Sequence, residues 1–329
     1  MKQKISKINL LIKKKYKYEL LENGFNSKDI AAGKKVLNSK RITMAGNTRK
    51  FEDAFAKKIG SKYALMVNSG SSANLLAAFA AGNLLRSKRY KVGDEVLIPV
   101  LCWSTSVWPF VQFGLKPVFV DIDLDTLNIS IDDLKKKINK KTKALVLINV
   151  LGNCSNLFEI KKIAKKNNII IIEDNCESLG SKLKGKYLGT FGDFSTFSFY
   201  YSHQITSGEG GMITTNNKEL WHKIWSYKDH GKSWEVVYEQ EHPPGFRWVH
   251  ESFGTNGRMT EMQAAIGRIQ LKRLDKWHRT RTENANAILD CCDQFPTLFR
   301  VPRPPDHIEH AWYKCYFFVR PERLAHGWT

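Results

Sequence analysis

"KALVLINVLGNCSNLFEIKKIAKKNNIIIIEDNCESLG", residues 143–180, decides the fold. Two apolar runs, 143–150 and 168–174, flank a segment at 156–167 whose apolar residues recur every three to four positions. Short apolar runs without polar alternation describe strands covered on both faces. Strand, helix and strand in that order make a parallel βαβ unit. The second run ends in two acids, Glu173 and Asp174. Ligands of open α/β sheets gather at such carboxyl ends of strands.

The alternation continues in both directions. "KYALMVN" (62–68) predicts a strand and "SANLLAAFAAGNLL" (72–85) an Ala/Leu-rich helix. "DEVLIPV" (94–100), "KPVFVDI" (116–122), "FSTFSFY" (194–200) and "GGMITT" (210–215) add strands to the same sheet. "KELWHKIWSYKDH" (218–230) predicts a helix, and a Pro-, Gly- and aromatic-rich loop follows at 241–258. A helical region is expected from Thr260 to about Cys292, then a strand, "AWYKCYFFVR" (311–320), in a smaller domain. Ahead of all this, residues 1–45 predict a basic lead-in and a helix near 27–37, with Ser27 as N-cap. The expected organisation is a lead-in (1–45), a large α/β domain with a mostly parallel sheet (46–260), and a helix with a partial small domain (261–329).

The chain of 329 residues is long enough for that arrangement. Hydrophobic residues at 42% and aromatics at 12% exclude a disordered chain. The net charge of +20 comes from lysines spread over many segments, such as "KKKINKKTK" (135–143). No helix gathers them into a face for reading nucleic acid, so they are expected to cover solvated surfaces. A positive field also favours an anionic small-molecule substrate. The six cysteines include no C-x-x-C pair and imply no zinc ribbon. The apolar run "INLLI" (8–12) is too short for a signal core or a membrane span. A soluble cytoplasmic protein without a membrane partner is the expectation.

Four stretches carry chemistry. In "VNSGSSANLL" (67–76) a strand turns into a helix through small residues. The free amides and dipole at such a helix start suit a phosphate, although Gly and Ser also serve as plain caps. In "EDNCESLG" (173–180), Asp174 can face a protonated ring nitrogen, and Glu177 lies three residues on, within reach of a ring substituent. A capping Asp before a turn is the structural alternative. Trp103, just after the strand at 94–100, is either a core tryptophan or a stacking surface for a flat heterocycle. "SFYYSHQITSGEGG" (198–211) supplies hydroxyls, a glycine pair and His203, a competent acid or base near neutral pH.

With "NSGSSANLL", "GDEVLIPV", "VFVDID", "EDNCESLG", "GEGG" and "NGRMTEMQAAIGRIQLKRL" (256–274), the chain resembles the DegT/DnrJ/EryC1/StrS sugar-nucleotide aminotransferases. The resemblance runs from about residue 25 to 320. It implies the fold-type I pyridoxal-phosphate architecture and pyridoxal 5'-phosphate or pyridoxamine 5'-phosphate as cofactor. The backbone at Gly70 and Ser71 and the hydroxyl of Ser198 would then hold the phosphate. Asp174 would meet the pyridine nitrogen and Trp103 would stack on the ring. Asn256 would reach the phosphate of the other subunit, which implies a homodimer with shared sites.

Most members hold the cofactor through a lysine in a serine-x-x-x-x-lysine stretch. Here Ser198 opens that stretch and His203 stands in the lysine's place, with Lys186 and Lys218 outside it. This departure resembles the family's 3-dehydratases, which make 3-deoxy sugars. It implies a nucleotide-sugar substrate bearing a 4-keto group, loss of its 3-hydroxyl, an amino donor such as glutamate, and His203 as base. Where that branch carries a second histidine, this chain has Gln204. Two alternatives stay open: an aminotransferase-like enzyme of altered outcome, and a non-enzymatic pseudo-aminotransferase. An iron–sulfur variant of the elimination is disfavoured, because the spacing of Cys291, Cys292 and Cys315 does not suit a cluster. Family members run several dozen residues past the equivalent of Thr329, so a fragment or an abbreviated small domain is expected.

Overall fold

A computed structural model describes residues 24–83, 86, 88–241, 249–325 and 327. The lead-in before Gly24, including the apolar run at 8–12, lies outside the described residues, as does the middle of the Pro-rich loop.

The helix expected near 27–37 is α1, Ser27–Asn38. Its cap is Asn26 rather than Ser27: the Asn26 side chain accepts from Lys28 N–H and Asp29 returns a bond to Asn26 N–H. An amide side chain one residue earlier won because Asp29 completes a reciprocal box with it. Then follow α2 (Gly46–Ile59), β1 (Tyr63–Val67), α3 (Gly70–Ala81), β2 (Glu95–Pro99), α4 (Trp108–Phe113) and β3 (Lys116–Val120). Next come α5 (Ile131–Lys137), β4 (Thr142–Ile148), α6 (Leu157–Lys166), β5 (Ile170–Asp174), β6 (Lys182–Leu183) and β7 (Lys186–Tyr187). The chain continues through β8 (Phe194–Ser198), β9 (Gly211–Thr215), α7 (Lys218–Lys228), α8 (Glu261–Leu271) and α9 (Leu274–Asp293). Three short strands close it: β10 (Phe299–Arg300), β11 (Ile308–Glu309) and β12 (Phe318–Val319).

Seven strands form the central sheet in the order β1-β9-β8-β5-β4-β2-β3. Only β9 runs against its neighbours in that sheet, so the mostly parallel expectation holds. The alternation of a strand explains the core. Ile170 and Ile172 point into one apolar cluster with α3 and α7, while Ile169 and Ile171 point into another with α5 and α6. β4 divides in the same way, Ala144, Val146 and Ile148 against Leu145 and Leu147. Cutting a fully buried residue such as Ile172 to Ala removes contacts on a face that cannot collapse, at a cost of about 2–5 kcal/mol.

Two expectations are corrected. The helical region after Thr260 is two helices, broken at Lys272–Arg273. The strand expected over 311–320 shrinks to Phe318–Val319, paired with β10. Its earlier residues serve other elements: Ala311 and Tyr313 donate backbone bonds to Gly152 and Leu151. A partly apolar run cannot pair as a strand while its amides are committed to a loop.

Candidate active site

Strand register assembles the site at the carboxyl edge of the sheet. Val67 at the end of β1 pairs with Gly211, and Gly211 pairs with Ser198 at the end of β8. One row therefore brings the start of α3 against Ser198. The approach is close: a Cβ added to Gly70 would lie 2.6 Å from Ser198 Cβ and 3.0 Å from Cys176 Sγ. A Cβ on Gly211 would lie 2.5 Å from the Ser69 carbonyl oxygen. Both glycines are thus required by contact. Ser69 caps α3 by accepting from Ser72 N–H at 3.0 Å, and Ser71 stays exposed. The leading amides of Gly70 and Ser71 have no acceptor within the helix, and the helix dipole adds partial positive charge there.

Asp174 ends β5 in line with Thr196 of β8 and Ile148 of β4. Its Oδ2 accepts from Asn74 Nδ2 and Ser106 Oγ, both at 2.8 Å, and its Oδ1 accepts from Cys176 N–H at 3.1 Å. Asn74 accepts in turn from the Thr196 hydroxyl at 2.6 Å. These bonds hold a buried carboxylate in one orientation at the strand end. The neighbouring Glu173 points the other way, as a strand requires. It accepts from the amides of Gly189, Phe191 and Gly192 and so fixes the turn before β8. One acid builds the scaffold and the other faces the site.

Trp103 leads the 3-10 turn Ser104–Ser106 and is 73% exposed, so the core reading fails for it. That turn is tied to Asp174 through Ser106 and to Asn74 through the Thr105 carbonyl. Glu177 uses Oε2 to accept from Leu151 N–H at 2.7 Å, in a turn where Leu151 has positive φ. Burial, helped by nearby Asp174, raises the Glu177 carboxyl above its usual range. Its shown contact braces a loop.

His203 stacks on Tyr313 at 5.1 Å and meets the edge of Tyr200 at 6.0 Å. Among the described residues its buried Nδ1 has no hydrogen-bond partner. Burial pushes the imidazole down to about 4, Lys314 adds to the lowering, and Asp174 opposes it. The ring is therefore neutral at pH 7, and the same burial that keeps it neutral weakens it as a base. Gln204 is buried and donates through Nε2 to the Glu177 carbonyl. Asn256 is exposed, and its backbone bridges to Asp229, while its neighbour Gly257 accepts from Asn68 N–H at 2.9 Å. Among the described residues Asn256 makes no bond in the network around Asp174.

The structure thus gathers Gly70, Ser198, Asp174 and the turn that carries Trp103, with His203 electrostatically coupled to Asp174. Sequence reasoning missed Asn74, Ser106, Thr196 and Tyr313. Asn74 did leave a signal, a lone amide in an Ala/Leu helix.

The donor set fits a phosphorylated pyridine ring. A glycine-tight helix start meets a serine hydroxyl, a held carboxylate ends the central strand, and the turn bonded to it carries an exposed indole. The fold and site define a fold-type I α/β enzyme of the pyridoxal-phosphate class. The chain belongs to the DegT/DnrJ/EryC1/StrS aminotransferase family, whose model matches residues 25–326. It is 39% identical over 314 residues to GDP-4-keto-6-deoxy-D-mannose 3-dehydratase of Escherichia coli O55:H7, covering 93% of this chain and 79% of that protein. A solved E. coli GDP-4-keto-6-deoxy-D-mannose 3-dehydratase with bound hydrated PLP superposes with TM-score 0.85 at 38% identity, over 93% of this chain and 79% of that one. An aminotransferase from Psychrobacter cryohalolentis superposes equally well, with TM-score 0.87 at 38% identity, over 92% and 78%. Overall similarity therefore does not separate dehydratase from aminotransferase, and the residue at 203 must do so. Among the described residues no helix is long and apolar enough to cross a membrane.

Proposed function

We propose that this chain is a 3-dehydratase of a nucleoside-diphosphate 4-keto-6-deoxy sugar. It would depend on pyridoxal or pyridoxamine phosphate, draw its amine from a donor such as glutamate, and serve deoxysugar synthesis for surface polysaccharide. What supports this reading is His203: by the resemblance it occupies the position of the family's lysine, and among the described residues its buried Nδ1 has no hydrogen-bond partner. Imidazole accepts protons but cannot tether an aldehyde.

Bound as the pyridoxamine form, the cofactor would supply an amine for the 4-keto carbon and an electron sink that lets the 3-hydroxyl leave. The protein's part is placement and proton transfer. Gly70, Ser71 and Ser198 would hold the phosphate at the α3 start. Asp174, fixed by Asn74 and Ser106, would keep a proton on the ring nitrogen by offering it a negative partner. Trp103 would cover one ring face. His203 would take the proton that must leave for elimination to proceed. Asn256, exposed in the single chain, would complete the phosphate site of a second subunit in a homodimer.

The test is product analysis with GDP-4-keto-6-deoxymannose, pyridoxal phosphate and glutamate. A 3-deoxy sugar nucleotide supports the reading. A 4-amino sugar nucleotide replaces it with an aminotransferase, and a purified protein that retains no cofactor and makes neither product marks a pseudo-enzyme.

A further inference from the structure

His203 stands in the loop after β8 and Tyr313 in the C-terminal segment, and the fold lays one ring on the other. Their planes differ by 21° with centroids 5.1 Å apart, an offset that aromatic rings favour. Backbone bonds seat the segment that carries Tyr313. Ala311 N–H donates to the Gly152 carbonyl at 3.1 Å and to Ser181 Oγ at 3.0 Å, and Tyr313 N–H donates to the Leu151 carbonyl at 3.1 Å. Ser181 Oγ donates to the same Gly152 carbonyl at 2.7 Å and so ties the two sides together. Gly152 has a φ of +98°, and a Cβ there would lie 3.0 Å from Trp312 N and 3.1 Å from Ala311 Cβ. The loop at 151–152 and the segment therefore meet backbone to backbone, with no room for a side chain between them.

Several elements bring charged or titratable groups towards the imidazole. Asp174 at the end of β5 and Lys314, next to Tyr313, act on it in opposite directions. Tyr200 meets its edge, and Arg281 of α9 lines the same cavity. Burial outweighs these charges. A flat ring laid on one face of an imidazole keeps water from that face, and so disfavours the charged form. The same contact limits rotation of the imidazole, so the direction of its nitrogens depends on where the segment docks.

We propose that Tyr313 is a positioning residue for His203: the docked segment 311–313 lays its ring on the imidazole, keeps water from that face and fixes the direction of the ring. Its bearing on proton transfer rests on the dehydratase reading, in which His203 is the base. The contact itself does not rest on that reading. In consequence the base is complete only when the C-terminal segment is seated on the loop at 151–152.

Nuclear magnetic resonance on the full chain, loaded with pyridoxal phosphate and labelled at histidine, tests this. The His203 signal is assigned by its absence in His203→Gln. Tyr313→Ala should raise the proton affinity of the imidazole about tenfold or more by readmitting water. Tyr313→Phe keeps the ring without the hydroxyl and should leave that affinity unchanged. Lys314→Gln removes a neighbouring charge but keeps the stack, and should raise it by less than Tyr313→Ala. Should Tyr313→Ala fail to fold by circular dichroism, Gly152→Ala takes its place with the same expected gain, because it unseats the segment with Tyr313 intact. No gain in the variant that folds, a phenylalanine variant that shifts as far as the alanine one, or an equal gain in Lys314→Gln overturns the proposal. The pH–rate profile for 3-deoxy product separates the two readings. Its acid limb should move up in Tyr313→Ala and stay in place in Tyr313→Phe. A shifted imidazole with an unmoved limb removes His203 as the base and keeps the positioning role. An imidazole that does not shift removes the positioning role whatever the product.

Discussion

Acidification should destabilise this protein partly through His203, and substitution of that residue isolates the effect. In the folded chain burial holds its imidazole down to about 4, against 6.5 as the ordinary value. The unfolded chain thus binds the proton more readily. Stability from the neutral ring is fully present above pH 6.5 and is lost as pH falls toward 4. Linkage over these two values gives almost nothing at pH 7.5 and a loss of about 2 kcal/mol by pH 5. His310, pushed down to about 3 by burial, adds a loss in the same direction, so the wild-type slope alone assigns nothing. The informative quantity is the difference between wild type and His203→Gln in urea unfolding at several pH values. Glutamine cannot titrate, so the variant should lose about 2 kcal/mol less between pH 7.5 and 5, whatever constant offset the substitution brings. Parallel curves would refute the reasoning, because they would mean that the imidazole in the folded state titrates at its ordinary value.

Asp174→Asn should cut turnover and loosen cofactor binding, because an amide cannot stabilise a protonated ring nitrogen and would set its own NH₂ against donors from Asn74 or Ser106; unchanged turnover would make Asp174 a turn residue only. Gly70→Ala should destabilise by about 1–3 kcal/mol and lower pyridoxal-phosphate affinity, since its methyl would lie 2.6 Å from Ser198 Cβ; thermal melts and cofactor titration check both. Asn256→Ala mixed with His203→Ala should recover activity that neither variant has alone, because one hybrid site keeps both residues; hybrids that form and stay inactive would exclude a shared site. His203→Lys should let borohydride fix pyridoxal phosphate to residue 203 while dehydration falls by about 10²–10⁴-fold with loss of the base. Peptide mapping that places the label on Lys186 or Lys218 of the unsubstituted protein would show the cofactor to lie elsewhere.

Much of the sheet was legible because its strands are buried on both faces. A stretch such as "NIIIIED" needs no partner to be read, since a short run of four β-branched isoleucines bounded by polar residues favours a covered strand. The start of α3 was legible for a local reason too: small residues after a strand leave few other conformations. Boundaries that depend on partners were not legible. Residues 311–317 look like part of a strand, yet Ala311 and Tyr313 give their amides to the loop at 151–152. Likewise Asn26 took the cap from Ser27 through its exchange with Asp29.

At the site the division has the same physical origin. The sequence alone determined that an acid ends β5, that a histidine stands five residues after Ser198, and that the phosphate motif opens a helix. These are facts of residue identity and spacing. Tertiary structure decided that Asp174 and not Glu173 faces the network, because strand alternation sends neighbours to opposite sides. It also decided that Gly70 meets Ser198 across a three-strand register and that Asn74 and Ser106 hold the carboxylate. Those pairings join residues dozens to more than a hundred positions apart. Hydrogen bonding and desolvation act over a few ångströms of space, so only the folded chain could set them.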